Sequence, residues 1–184
     1  INTPTITGTA EAGSTVELLN GNNVLGTVIA ADNGTFSITS SELADANYTL
    51  TVRATDLAGN VSAESVGLPI EIDTTAPAAP LITTDIALTK INTPTIEGTA
   101  EAGSTVELLN GNNVLGSVIA ANDGSFSITS SVLVDADYTL TVTATDEAGN
   151  TSVPSAGLNI TVDTSAPAAP LITTDIALTN INTP

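Results

Sequence analysis

Apolar and polar residues alternate with a period of two along most of the chain. Tyr48, Leu50 and Val52, for example, are separated by threonines, as in a strand that is buried on one face. Clusters such as residues 20–23 and 33–34 interrupt the alternation with Asn and Gly, which supply the left-handed conformations of tight turns. Turn signals about every eight to twelve residues, many Thr and Val residues and no helical period predict an all-β sandwich of about seven strands.

The sequence also repeats itself. The hexapeptide at residues 1–6 recurs at residues 91–96, and residues 181–184 begin a third copy, so the period is 91 − 1 = 90 residues. Self-similarity at a fixed period is typical of a tandem array. We therefore expect the chain to be cut from a longer protein whose export signal lies elsewhere.

The predicted domain boundaries follow from a Pro- and Ala-rich connector at residues 76–80. If residues 81–90 form the first strand of the next unit, residues 1–75 are a unit that lacks its first strand. Residues 76–165 are then a complete unit, and residues 166–184 are a linker followed by the first strand of another repeat. We expect neighbouring copies of the repeat as partners, and the terminal strand is a candidate for exchange with another molecule.

The four aromatic residues are predicted to be structural. Phe36 and Phe126 fall at inward positions of their strands and belong to the core. Tyr48 and Tyr138 begin the sixth strand of each unit, where the hydroxyl of a tyrosine corner bonds to nearby backbone.

The acidic composition restricts the partners. Twenty Asp and Glu residues face only Arg53 and Lys90, for a net charge of −18. This excludes nucleic acid, whose phosphates need Lys and Arg, and favours cations. The absence of Cys, Met, Trp and His removes disulfides, imidazole metal sites and most acid–base catalysis. No apolar run of about 18 residues is present, so we expect no membrane insertion.

Acidic residues are predicted to meet where one unit joins the next. Strand direction alternates in an antiparallel sandwich, so the loops that carry Glu101 and Asp146 lie at the pole where the chain enters the second unit. The last strand of the first unit delivers Asp73 to the same place. Three carboxylates repel one another by about 1 kcal/mol per pair at about 4 Å in water. Ca²⁺ relieves such repulsion and accepts about six to eight oxygens in loose geometry, so Asn150 and carbonyls near Thr74 are expected to complete its shell.

The outer poles carry the same residue types without a neighbour. Glu11, Asp56 and Asn60 are expected to form a weaker or empty metal site, and Asp163 points towards a following unit. The alternative is that these residues are ordinary turn formers held by local hydrogen bonds, which is the role expected of Asp45 and its counterpart ninety residues on.

Three segments resemble the bacterial immunoglobulin-like repeats of giant surface adhesins, namely biofilm-associated proteins and the extender regions of repeats-in-toxin adhesins. They are T-P-T-I-T-G-T-A-E-A-G-S-T-V at residues 3–16, A-T-D-L-A-G-N-V-S at residues 54–62 and I-D-T-T-A-P-A-A-P at residues 72–80, each repeated with few changes 90 residues on. The resemblance implies tandem immunoglobulin-like β-sandwiches joined end to end. It also implies calcium at the junctions, with Asp73, Glu101 and Asp146 as ligands, and a location at the bacterial cell surface.

We therefore expect a non-catalytic extracellular extender, or spacer, that supports cell adhesion and biofilm formation. Two alternatives stay open, a module that binds glycan or protein and an accessory domain of a secreted enzyme. Near-identical copies with few aromatic residues favour the spacer, because recognition usually needs anchoring side chains. A glycosidase pair of carboxylates is disfavoured, since it would recur in every copy without an aromatic sugar platform.

Overall fold

The structure is a computed structural model that describes residues 1–173, and it confirms the all-β fold class. The first half contains six strands: β1 Thr5–Thr9, β2 Thr15–Asn20, β3 Asn23–Ile29, β4 Thr35–Thr39, β5 Ala46–Thr55 and β6 Leu68–Ile72. The second half contains eight: β7 Leu81–Ile82, β8 Leu88–Thr89, β9 Thr95–Thr99, β10 Thr105–Asn110, β11 Asn113–Ile119, β12 Ser125–Thr129, β13 Ala136–Thr145 and β14 Leu158–Val162. Within residues 1–173 no helix is long and apolar enough to cross a membrane.

Each half forms two sheets that face each other. In the first half β1 pairs with β4, and the other sheet has the order β3-β2-β5-β6. In the second half the sheets have the orders β12-β9-β7 and β11-β10-β13-β14-β8. The shared strands keep the same antiparallel registers, including a shift after Leu18 and after Leu108. We refer to residues 1–75 as the first unit and to residues 76–165 as the second unit.

The second unit has one segment with no counterpart in the described part of the first unit. Residues 81–89 pair antiparallel with β9 through β7 and then parallel with β14 through β8. The segment therefore crosses from one sheet to the other and closes one side of the sandwich.

Alternating residues of the two sheets form the core of each unit. Leu18 and Leu50 of the first unit and Leu108 and Leu140 of the second are at most 1% exposed. The prediction that the phenylalanines are core is confirmed, since Phe36 is 8% exposed and its counterpart 5%. Large apolar side chains that alternate with Thr and Ser are thus what fixes which face of each strand points inward.

Tight turns depend on glycine where the chain reverses before β4 and β12. Gly34 and Gly124 have φ angles of 79° and 80°, a region that side chains with a Cβ rarely enter. Asn33 and Asp123 precede them and accept hydrogen bonds from Thr35 and Ser125, two residues on. These are the turns that the sequence predicted.

The tyrosine-corner prediction is confirmed in both units. The Tyr48 hydroxyl donates to the carbonyl of Ala44 at 3.0 Å, and the Tyr138 hydroxyl donates to the carbonyl of Val134 at 3.0 Å. Each ring ties the start of its strand to the loop before it.

Candidate metal site between the two units

The predicted acidic residues are brought together at the joint between the units. A cleft of about 430 Å³ is lined by Asp73 from the first unit and by Glu101 and Asp146 from the second. Glu71, on β6, and Glu147 also line this cleft and were not predicted. We call this feature the joint cleft.

The connector that follows Asp73 is packed rather than loose. Pro77 and Pro80 are buried at the joint, whereas their counterparts Pro167 and Pro170 are exposed after the second unit. The φ angle of each proline is also fixed by its own ring, so the connector has fewer backbone conformations than a flexible linker.

Asn150 makes a direct hydrogen bond across the joint. Its side-chain amide nitrogen donates to the Asp146 Oδ2 atom at 2.8 Å and to the backbone carbonyl of Asp73 at 3.2 Å. Its backbone N–H donates to the Asp146 Oδ1 atom at 2.8 Å. The amide therefore presents its nitrogen to the two aspartates, whereas metal ligation would use its oxygen.

The Asp146 carboxylate is ionised and oriented by this network. Partial desolvation opposes its charge, but hydrogen bonds from the side chain and backbone of Asn150 and from the Gly149 backbone outweigh that effect, so its pKa lies below the ordinary value. An ionised carboxylate in a fixed orientation is what a cation site needs.

The donor chemistry of the joint cleft fits a hard cation, because the titratable side chains that line it are all carboxylates and calcium prefers oxygen ligands. The positions do not form a coordination shell. Within residues 1–173, no group of three or more acidic side chains is close enough to hold a metal ion. The roles of Asp73, Glu101, Asp146 and Asn150 as calcium ligands therefore stay a prediction.

At the outer pole of the first unit, residues 56–60 form the loop that corresponds to residues 146–150 at the joint. Asn60 donates from its amide nitrogen to the Asp56 Oδ2 atom at 2.7 Å and from its backbone to the Oδ1 atom at 2.8 Å. These bonds, the side-chain bond first, hold the pKa of Asp56 below its ordinary value. Glu11 lines a separate hollow together with Asp56 and Asn60. The predicted weaker metal site at this pole also stays a prediction.

At the far end of the second unit, Asp163 follows β14 directly and makes hydrogen bonds within its own unit. Its backbone N–H donates to the Thr89 carbonyl at 2.9 Å, and its Oδ1 atom accepts from the Ser165 backbone at 3.0 Å. The Asp73 carboxylate makes the matching bond to the Thr75 backbone at 2.9 Å. The predicted approach of Asp163 to a following unit lies outside the described residues.

The expectation that Asp45 and Asp135 are local turn formers is wrong. Asp45 accepts from the Thr74 and Thr75 hydroxyls, both at 2.8 Å, and Asp135 accepts from the Thr164 and Ser165 hydroxyls, both at 2.7 Å. These partners are 29 or 30 residues away in sequence. Hydrogen bonds from the hydroxyls lower the pKa of both carboxyl groups. We call this set of bonds, which ties Asp45 or Asp135 to the segment after the last strand of its unit, the Asp clamp. Its sequence signal is the spacing of 29 residues between Asp and Thr in both repeats.

These features define a tandem pair of immunoglobulin-like β-sandwiches. The chain belongs to the bacterial Ig-like domain family, whose model matches residues 1–74 and 83–164. The fibronectin(III)-like modules of CbhA from Clostridium thermocellum have the same fold, with a TM-score of 0.57 and 20% identity over 86% of this chain and 85% of that chain. A biofilm-associated protein BSP domain aligns over 88% of this chain and 28% of that chain, at 27% identity and a TM-score of 0.39.

Two curated relatives are enzymes. Exoglucanase B of Cellulomonas fimi is 35% identical over 130 residues, which are 64% of this chain and 11% of that protein. Chitinase A1 of Niallia circulans is 33% identical over 135 residues, which are 69% of this chain and 19% of that protein. The chain thus spans less than one fifth of the length of these relatives.

Proposed function

We propose that the chain is a pair of non-catalytic extender repeats from a large bacterial cell-surface adhesin, and that Ca²⁺ at the joint cleft stiffens the pair. In this proposal the repeats work outside the cell, where they hold an adhesive tip away from the surface and support cell adhesion and biofilm formation. The observation that carries the proposal is the convergence of Asp73, Glu101 and Asp146 from two units on one cleft.

The structure of the joint supports the proposed mechanical role. The bond from Asn150 to the Asp73 carbonyl links the two units, while the carboxylates of the joint cleft repel one another. Bound Ca²⁺ would supply the positive charge that offsets this repulsion. Asp73, Glu101 and Asp146 would hold it, with backbone carbonyls as further oxygen donors. A strand of ten residues, such as β13, is about 33 Å long, so each rigid unit would lengthen the spacer by about that much.

The test is small-angle X-ray scattering at concentrations at which the chain is monomeric, with Ca²⁺ titrated from zero and then removed with EDTA. Extracellular modules bind calcium at about 10⁻⁴ to 10⁻³ M, so the titration should span that range. We expect calcium to narrow the distribution of shapes and to increase the maximum dimension. An identical scattering curve with calcium and with EDTA would overturn the proposal.

A matched pair of variants locates the effect. Asp146→Asn at the joint cleft should abolish the response to calcium, whereas Asp56→Asn, the same change at the outer pole, should leave it. Loss of the response in both variants, or in neither, would contradict the assignment to the joint.

The second candidate is an accessory module of a carbohydrate-active enzyme, and the observation that favours it is the similarity to the exoglucanase and the chitinase. The parent gene separates the two candidates. Many further copies of the 90-residue unit would support the spacer, and a single hydrolase domain beside these two units would support the accessory module. A glycan array would add a second readout, since binding to polysaccharide is expected only for the accessory module.

A further inference from the structure

One side chain of the first unit binds the segment through which the chain leaves that unit. Asp45 lies directly before β5 and beside the end of β6, because the first residue of β5 pairs with Ile72. Its Oδ1 atom accepts hydrogen bonds from the Thr74 hydroxyl at 2.8 Å and from the Thr74 backbone N–H at 3.1 Å. Its Oδ2 atom accepts from the Thr75 hydroxyl at 2.8 Å. Both carboxylate oxygens therefore hold the residues that follow Asp73.

The Asp clamp acts on the same peptide group that the second unit contacts. The N–H of the peptide group between Asp73 and Thr74 donates to Asp45, and the C=O of that group accepts from the Asn150 side chain at 3.2 Å. A peptide group is planar, and its N–H and C=O point in opposite directions when it is trans. Asp45 of the first unit and Asn150 of the second unit thus hold opposite sides of one rigid plane.

This arrangement couples the two contacts. Rotation of the plane about the chain direction moves the Asp73 carbonyl together with the Thr74 N–H, so the carbonyl stays within reach of Asn150 only while the clamp keeps the plane in place. The Asp73 side chain adds a local restraint, since its Oδ1 atom accepts from the Thr75 backbone at 2.9 Å. The first unit therefore orders this peptide group before the second unit binds it, which lowers the entropy cost of the contact.

The charge of Asp45 makes the clamp persistent in water. Asp45 is exposed, and hydrogen bonds to an ionised carboxylate are stronger than those between neutral groups. The bonds from the Thr74 and Thr75 hydroxyls keep the pKa of Asp45 below its ordinary value, so the carboxylate is charged at neutral pH.

Only a short connector lies between the clamp and the second unit. β7 begins at Leu81, so residues 76–80 are all that separates Thr75 from it. Within this connector Pro77 and Pro80 are buried, and each has a φ angle that is fixed by its ring. The direction in which the chain leaves the clamp is therefore passed to the second unit through few rotatable bonds.

The exit from the second unit contains a matched control. Asp135 accepts from the backbone and hydroxyl of Thr164 at 3.0 Å and 2.7 Å and from the hydroxyl of Ser165 at 2.7 Å. Asp135 directly precedes β13, whereas Asp146, at the joint, directly follows that strand. The second clamp therefore lies about 33 Å from the joint, the length of a ten-residue strand.

We propose that Asp45 positions the joint. By fixing the peptide group between Asp73 and Thr74, it sets the direction of the connector and holds the Asp73 carbonyl where Asn150 binds it. The alignment of the two units then depends on a side chain whose hydrogen bonds are all made within the first unit. The consequence for the chain rests on the proposed spacer function, because a spacer has to keep its units aligned.

The test is the distribution of distances between two spin labels in EDTA, one in each unit, on Cys residues introduced at the exposed Thr27 and Ser117. We expect Asp45→Ala to broaden the distribution and to raise the ratio of misaligned to aligned joints about fivefold, as the loss of one net hydrogen bond does. Asp135→Ala, the same change at the second clamp, should leave the distribution unchanged. Equal broadening in both variants, or none in Asp45→Ala, would overturn the proposal. No calcium is present, so failure of this proposal and failure of the calcium proposal are separate results.

Two further variants separate positioning from stability. Thr75→Val keeps the size of the side chain and removes only its hydroxyl bond to Asp45, so it should broaden the distribution less than Asp45→Ala while thermal unfolding shows a folded first unit. Asp45→Ala combined with Asn150→Ala should broaden the distribution by less than the sum of the single changes, because both side chains act on one peptide group. Additive effects, or no broadening in a folded Thr75→Val chain, would contradict the positioning role.

Discussion

Comparing Asn150→Ala with Asn60→Ala isolates the one side-chain hydrogen bond that crosses the joint within residues 1–173. Asn150→Ala removes the bond from the Asn150 amide to the Asp73 carbonyl at 3.2 Å and the local bond to Asp146 at 2.8 Å. Asn60→Ala removes only the local bond to Asp56 at 2.7 Å. The difference between the two variants is therefore the contribution of the contact between units.

The magnitude follows from the geometry of the bond. The net contribution of a hydrogen bond to stability is about 1 kcal/mol. The donor–acceptor distance of 3.2 Å lies at the long end of the usual range. Loss of about 1 kcal/mol lowers the ratio of aligned to misaligned joints about fivefold. A joint that is aligned most of the time would then be misaligned in a readily measured fraction of molecules.

The assay is the distance distribution between two spin labels. The chain has no Cys, so Cys residues introduced at Thr27 and Ser117, exposed counterparts in the two units, can be labelled specifically. In EDTA we expect Asn150→Ala to broaden the distribution and Asn60→Ala to leave it unchanged. Equal broadening in both variants, or none in either, would refute the idea that Asn150 aligns the units.

Three further predictions concern stability. Val142→Ala should cost about 2 to 3 kcal/mol in urea unfolding because its side chain is fully buried. Val52→Ala should cost about half as much because Val52 is only half-buried in this chain, and equal costs would contradict this difference in burial. Tyr138→Phe removes the bond to the Val134 carbonyl and should cost about 1 kcal/mol in thermal unfolding, and an unchanged melting temperature would contradict this role. The pKa values of Asp45 and Asp135 are lowered by folding, so the stability that their charged forms contribute is present above the ordinary value of 3.8 and is lost as pH falls below it. The free energy of unfolding, measured from pH 5 to pH 2.5, should fall with pH, and it should fall less steeply in Asp135→Asn than in the unsubstituted chain. An equal fall in both would contradict the role of these hydrogen bonds.

Local patterns in the sequence determined the fold class. Alternation at Tyr48, Leu50 and Val52 assigned the faces of β5, and Gly34 assigned a turn, because each depends only on residues nearby in the chain. The repeat added the expectation that the acidic residues of two units meet at a joint. Asp73, Glu101 and Asp146 do line one cleft, as the alternation of strand direction indicated.

Contacts between distant residues were decided only by the tertiary structure. The Asp45 clamp on Thr74, the presence of Glu71 in the joint cleft and the direction in which the Asn150 amide points depend on side chains that packing brings together from far apart in the chain. Residues 81–89 show the division most clearly. The repeat in the sequence marks that segment as a strand, but only the packed sandwich shows that it pairs antiparallel with β9 and then parallel with β14, because this pairing depends on which strands packing brings to either side of the segment.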